Sequence, residues 1–255
     1  LTCSVALLST LIDSVLDAAA SVVTLLAVHH AVQPADREHR FGHGKAEALA
    51  GLGQAAFVAG SGCFLLVETV RRFVRPVPVT NELVGIVVMA LAIALTLLLV
   101  VYQRRVIRRT GSVAISADSL HYTGDLLING SVALSLGIYW IWGWSYVDPI
   151  FALAIVGYLM WNAWRIGGAA LDVLMDRELP EDERDRIKQI VEAHPDTRAM
   201  HDLRSRRAGT DSFIQFHLEL DPHISLLRAH EIADEVEARI VAARPAAEGI
   251  IHQDP

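Results

Sequence analysis

The chain has 255 residues, 53% of them hydrophobic, with a mean hydropathy of +0.37, which is too apolar for an ordinary soluble domain. A net charge of −7 speaks against a nucleic-acid partner. The two cysteines, Cys3 and Cys63, form no CxxC pair and lie in apolar segments, so they read as small core residues and imply no disulfide framework.

Apolar residues fill the chain up to about Leu174, and charged residues take over beyond it. The composition therefore divides the molecule into a membrane part, residues 1–176, and a soluble part, residues 177–255. A soluble part that short has a small core, so dimerisation or bound metal is expected to help stabilise it. The chain opens inside an apolar run without a charged leader, so it does not read as a signal peptide, and a segment upstream of Leu1 is expected.

The first predicted span covers residues 1–30 and carries Asp13 and Asp17, four apart and so on one helix face. His29 and His30 end it at the interface. Residues 31–45 form a polar loop in which Asp36, His39 and His43 are spaced three and four apart. One carboxylate and two imidazoles so close together suit a surface zinc site, although a solvated loop with incidental histidines fits the spacing equally well. The second span, 47–73, is rich in alanine and glycine, which permits close helix approach. The third, 83–102, is uncharged and about as long as a bilayer core requires. Arg104, Arg105, Arg108 and Arg109 then form a basic loop.

The fourth span, 112–146, opens with A-D-S-L-H-Y-T-G-D, where His121 and Asp125 share one face that Asn129 continues. Ionisable residues in an apolar span are costly and usually line an interior site. Brought together, the pairs of the first and fourth spans would supply three carboxylates and one imidazole to a divalent cation. The fifth span, 149–164, runs on to Leu174. The excess of Lys and Arg on one side places the 31–45 loop, the arginine loop and the soluble part in the cytoplasm, against the opposing cluster Arg71, Arg72 and Arg75.

The soluble part reads as helix, strand, strand, helix, strand, an αββαβ order: a helix from Pro180 to about His194, strands over 200–206 and 212–220, a helix over 225–243, and a last strand over 249–252. His201, His217, His230 and His252 fall at element ends, and Asp254 stands two residues past His252. Together they could form one or two zinc sites, while any one of them alone is read as an ordinary structural histidine. His194 and His223 are read that way outright.

Taken together, Asp13-x3-Asp17, Asp36-x2-His39-x3-His43 within H-R-F-G-H-G-K-A-E, His121-x3-Asp125 and the terminal H-Q-D-P resemble the cation diffusion facilitators over the whole chain. The resemblance implies an α-helical transmembrane bundle of six spans, of which five are visible, and a metallochaperone-like cytoplasmic domain that forms a homodimer. It implies a transport site of Asp13, Asp17, His121 and Asp125, a loop site of Asp36, His39 and His43, and a binuclear cytoplasmic site of His201, His217, His230, His252 and a bridging Asp254. Lys45 and Asp176 match a charged interlock at the dimer's membrane boundary, and Leu120 matches a gate position. The expected protein is not an enzyme. It is a bacterial inner-membrane efflux transporter that carries Zn²⁺, with Cd²⁺ and Fe²⁺, against protons.

The ligand types supply the logic of that exchange. Imidazole must be neutral and carboxylate ionised to hold a dication, so protons compete for the same atoms. His121, with a reference pKa of about 6.5, is the candidate for the main exchanged proton. A membrane-anchored zinc sensor that does not transport would use the cytoplasmic cluster but leave the membrane quartet unexplained. An intramembrane metalloprotease would need an H-E-x-x-H-like motif, which does not occur. A purely structural polar cluster is the remaining alternative.

Overall fold

The structure is a computed structural model that describes the backbone of residues 5–74, 83–142 and 146–255, and side chains from residue 17 onward except 72–92 and scattered positions between 132 and 148. Five long helices come first: α1 (Val5–Ala31), α2 (Lys45–Val74), α3 (Leu83–Thr110), α4 (Val113–Trp142) and α5 (Val147–Leu174). Each has 27 to 30 residues, or roughly 40–45 Å at the α-helical rise. Among the described residues, Lys45–Arg71 and Pro149–Leu174 are long and apolar enough to cross a bilayer. Val23, Phe64, Leu98, Trp161 and Trp164 lie exposed on this set of helices, the surface that contact with lipid requires.

Two compact units divide the chain: one holds Leu1–His30 with Ala46–Leu171, the other Ala31–Lys45 with Asp172–Pro255. The division thus falls a few residues before position 176, and the 31–45 loop groups with the C-terminal part rather than with its flanking helices.

Within the helical unit, α4 is fixed at its start. Ser112 Oγ accepts from Ile115 N–H at 3.1 Å, and Glu47 Oε1 on α2 accepts from Val113 N–H at 2.8 Å. Two of the orphan amides of the first turn are therefore satisfied, one of them by a neighbouring helix. Further along, a Cβ at Gly124 would lie 3.0 Å from Leu159 Cδ2, so the glycine lets α4 approach α5 closely. Val58, Leu120, Ile155, Leu159 and Ala163 form the buried cluster there.

The second unit contains α6 (Glu181–Glu192), β1 (Ala199–Ala208), β2 (Asp211–Glu219), α7 (Leu226–Ala243) and β3 (Ala247–Asp254). The strand order is β1-β2-β3, antiparallel and then parallel. Acidic residues fill the first turn of α6, and Ser225 Oγ caps α7 by accepting from Arg228 N–H at 3.2 Å. Alternation along β2 sends Ile214, Phe216 and Leu218 into a core with Ile187 and Val191 of α6 and Ile232, Val236 and Ile240 of α7. The opposite face carries Gln215, His217 and Glu219. β3 is longer than its sequence suggests, because it pairs along β2 from Ser212↔Ala247 to Glu219↔Asp254.

Candidate metal centres

In the helical unit, the α1 and α4 faces converge. His121 Nε2 lies 3.0 Å from Asp17 Oδ1 and 3.5 Å from Asp125 Oδ2, and the ligand atoms of the three residues fall within 4.8 Å of one another. The His121 side chain is only 11% exposed, whereas those of Asp17 and Asp125 are 35% and 41% exposed. Phe57 and Tyr122 flank the imidazole ring at 5.6 and 5.5 Å between centroids. Nε2 is buried and makes no hydrogen bond of good geometry among the described residues, so an imidazole nitrogen there faces two carboxylates. That donor set suits a small dication. Asp13 lies outside the residues whose side chains are described. Leu120, next to His121, is buried in the Val58 cluster.

The loop cluster belongs to the other unit. Asp36 Oδ1 accepts from the backbone N–H groups of Glu38 and His39 at 2.8 and 2.6 Å, an Asx turn that holds the loop's shape. The His39 amide is the chief cause that keeps the Asp36 carboxyl below its usual range. The other oxygen, Oδ2, faces His43 Nε2 at 3.3 Å, and His39 Nδ1 lies 3.5 Å from Oδ1. The glycines of F-G-H-G-K account for the loop's seating. Gly42 has φ +73°, and a Cβ at Gly44 would come 2.2 Å from the Ala208 carbonyl oxygen. Phe41 packs edge-on against Phe213, with the Arg206 guanidinium 4.5 Å above the Phe41 ring.

Lys45 Nζ pairs with Asp176 Oδ1 at 2.9 Å within a single chain, and Arg206 reaches the same oxygen at 3.5 Å. Asp176 sits at φ 57°, where α5 ends in a paired turn: Arg177 N–H donates to Asp172 O and Asp176 N–H to Val173 O.

The cytoplasmic cluster follows from strand register. His201 stands opposite His217, and His217 opposite His252, so three imidazoles form one row across the sheet. The His201 and His217 rings stack at 5.0 Å between centroids, and the His252 ring lies tilted at 4.7 Å from His217. Asp254, one rung away, touches all three: Oδ2 lies 2.8 Å from His217 Nδ1 and 3.3 Å from His201 Nε2, and Oδ1 lies 3.2 Å from His252 Nε2. A carboxylate with each oxygen turned to a different imidazole has the layout of a bridging ligand, and the donors fit Zn²⁺. The His217 hydrogen bond is the largest influence holding the Asp254 carboxyl below its ordinary range.

His230 does not join this cluster. It sits on α7, which packs on the core face of the sheet, opposite the histidine row, and its partner is Asp234 at 3.7 Å. Glu219 does join, with Oε1 3.5 Å from His201 Nε2. Its alternation with His217 along β2 is the signal that could have found it. His194 is structural, as expected. Its Nδ1 accepts from Asp196 N–H at 3.2 Å, and Nε2 meets Glu235 at 3.0 Å. Another residue without an assigned role in the sequence reading is Asp118. It is buried on α4 at the i−3 position from His121, and it bonds Gln103 of α3 and Ser21 of α1.

A bundle of apolar helices that gathers imidazole and carboxylate side chains, joined to a small domain with its own histidine row, defines a membrane transporter of metal ions. Residues 1–175 match the cation efflux transmembrane domain, and residues 179–255 match the cytoplasmic domain of cation efflux proteins. The chain is similar to the cation-efflux pump FieF of Klebsiella pneumoniae, at 47% identity over 252 residues covering 99% of this chain and 84% of that protein. It is also similar to FieF of Escherichia coli O1:K1 / APEC, at 45% identity over the same shares. Among solved structures, the metal-bound C-terminal domain of the CzcD transporter from Thermotoga maritima matches 29% of this chain and 87% of its own, at 32% identity and a TM-score of 0.28. The chain belongs to the cation diffusion facilitator family, whose members are membrane transporters of divalent metal ions with a cytoplasmic C-terminal dimer domain.

Proposed function

We propose that this protein exports Zn²⁺, with Cd²⁺ and Fe²⁺ as further cargo, from the cytoplasm across a bacterial inner membrane in exchange for protons. The observation that carries the reading is the meeting of Asp17, His121 and Asp125 at one point between α1 and α4. Asp13, one turn from Asp17, completes the quartet. The cargo ion would be held by one imidazole nitrogen and carboxylate oxygens, all of which also bind protons. Cargo and proton therefore exclude each other at the same atoms. His121 carries the main exchanged proton, because imidazole is the one ligand type of the quartet whose ordinary titration range lies near neutral pH. A site that opens alternately to two compartments then converts an inward proton gradient into outward metal flow. Leu120, packed against α2 and α5 beside His121, serves as the gate that closes one access route.

The other clusters hold metal without carrying it. His201, His217, His252 and Asp254 form a zinc site that stabilises or reports on the dimer, and Asp36, His39 and His43 form an accessory site. Residues 1–176 act as the transport domain and 177–255 as the metal-binding and dimerisation domain. Lys45 and Asp176 stiffen the boundary that the dimer needs. Zn²⁺ flux in proteoliposomes, measured with and without a pH gradient, tests the whole reading. The expected result is uptake that the gradient accelerates. Equal flux without it would overturn proton exchange, and binding without flux would favour the sensor alternative.

A further inference from the structure

We propose that Asp118 is a proton-binding carboxylate of the transport cycle, separate from the residues that hold the metal. This inference rests on the proton exchange proposed above. Asp118 is 8% exposed and lies in an apolar helix, where an ionised carboxylate needs a cation or several strong donors. Its partners are neutral. Gln103 Nε2 donates to Oδ2 at 2.7 Å, and Ser21 Oγ lies 3.4 Å from Oδ1. Among the described residues, no lysine or arginine pairs with it.

The hydroxyls beside Asp118 can meet either protonation state by turning. Ser21 Oγ is 2.8 Å from Tyr122 OH, and either hydroxyl can donate. With Asp118 ionised, Tyr122 donates to Ser21 and Ser21 donates to Oδ1. With a proton on Oδ1, both donations reverse: Asp118 donates to Ser21 and Ser21 to Tyr122, whose own O–H turns away from the pair on a half-buried ring. Gln103 serves both states, because Oδ2 remains an acceptor throughout. A buried carboxylate whose hydroxyl neighbour can either donate to it or accept from it is suited to carry a proton. Among the described residues, the groups around it are Ser21 from α1, Gln103 from α3, and Tyr122 and His121 from its own helix.

Position links this proton to the cargo. Ser21 follows Asp17 by one turn of α1, and Asp118 precedes His121 by one turn of α4. The reversible hydroxyl chain therefore joins the same two helices that hold the metal, one turn from it. A proton arriving at Asp118 alters the α1–α4 contact without displacing any ligand.

Two measurements test this on the full-length transporter reconstituted in liposomes. The first is labelling with dicyclohexylcarbodiimide, which attacks protonated carboxyl groups in apolar surroundings, read by peptide mass spectrometry between about pH 5.5 and 8.5. Asp118 labelling is expected to rise as pH falls, and to persist when saturating Zn²⁺ protects Asp17 and Asp125. Labelling at Asp118 that ignores pH, or that zinc abolishes together with the others, overturns the proposal.

The second is Zn²⁺ flux against pH for Asp118→Asn. The profile is expected to flatten, while Zn²⁺ affinity at alkaline pH changes by less than about threefold, under half a decade. A profile parallel to the parent's, whether lowered or not, makes Asp118 a packing or positioning residue only. If the parent's flux is itself indifferent to the pH gradient, proton exchange fails. If the parent responds and the variant's profile is parallel to it, only the assignment of Asp118 fails.

Discussion

The helical and cytoplasmic units each gather imidazoles around carboxylates, but on different scaffolds. On α1 and α4 the spacing of four places two ligands on one helix, and only helix packing brings Asp17 to His121. In the sheet, His201, His217 and His252 come one from each strand, and the backbone ladder itself fixes their row. Sliding or tilting one helix by an ångström or two would dismantle the first cluster and leave both helices intact. Dismantling the second requires breaking strand pairing. A cluster built across a helix contact suits an ion that has to be released, and one built into hydrogen-bonded register suits an ion that is kept.

The largest expected effect that sharpens this contrast is Asp17→Ala. Loss of a partner that merely orients a metal ligand costs 10- to 100-fold, so loss of a ligand should lower Zn²⁺ flux by at least about 100-fold. Metal binding by the cytoplasmic cluster should be unchanged, as read by metal analysis of the purified variant. His217→Ala should do the converse. It should weaken cytoplasmic zinc binding by about 10-fold or more and loosen the dimer in low zinc. Transport-site affinity should stay near the parent's, and equal dimer stability for both proteins would break the comparison. His121→Asp removes the one imidazole of the proposed transport site and should widen the range of metals carried, tested by competition between Zn²⁺ and Mn²⁺ in liposome uptake.

A histidine outside both clusters provides the control. His194 is buried, with both ring nitrogens engaged. His194→Ala should cost about 1–3 kcal/mol of domain stability and leave zinc content untouched. The smallest effect concerns its partner. The His194 hydrogen bond, helped by Arg228, holds the Glu235 carboxyl below the usual glutamate range. A depressed carboxyl contributes stability that is fully present above its unfolded pKa of about 4.3, and that is lost as pH falls through the folded value. Hydrogen exchange of α6 and α7 should therefore show Glu235→Gln slightly less protected than the parent at neutral pH, with the two converging in acid.

The helical dyads were legible in the sequence because a spacing of four has one geometric meaning on a helix, and an apolar span removes the solvated alternative. The loop cluster was legible by the same kind of spacing. The histidine row was legible only in part, since sequence order does not give strand register. Asp254 was found through H-x-D alternation. Glu219, on the same face of β2 as His217, was passed over because glutamates on exposed strands are common. His230 stands apart from the row within one chain, since its sequence neighbourhood does not reveal which sheet face α7 covers. Glu47 and Asp118 were missed for another reason. Each acts on a helix other than its own, Glu47 as a cap for α4 and Asp118 as a link to α1 and α3, and no periodicity records a partner that far along the chain.

One detail at the end of α5 carries a consequence of its own. Asp176 occupies a left-handed backbone position that glycine would fill with less strain, by about 1–2 kcal/mol. Its carboxylate meets both Lys45 and Arg206. Asp176→Gly would therefore relax the turn and at the same time release two cations, so that local comfort and the order of the junction move in opposite directions. A screen that selects only for heat resistance would favour the glycine and discard the anchor.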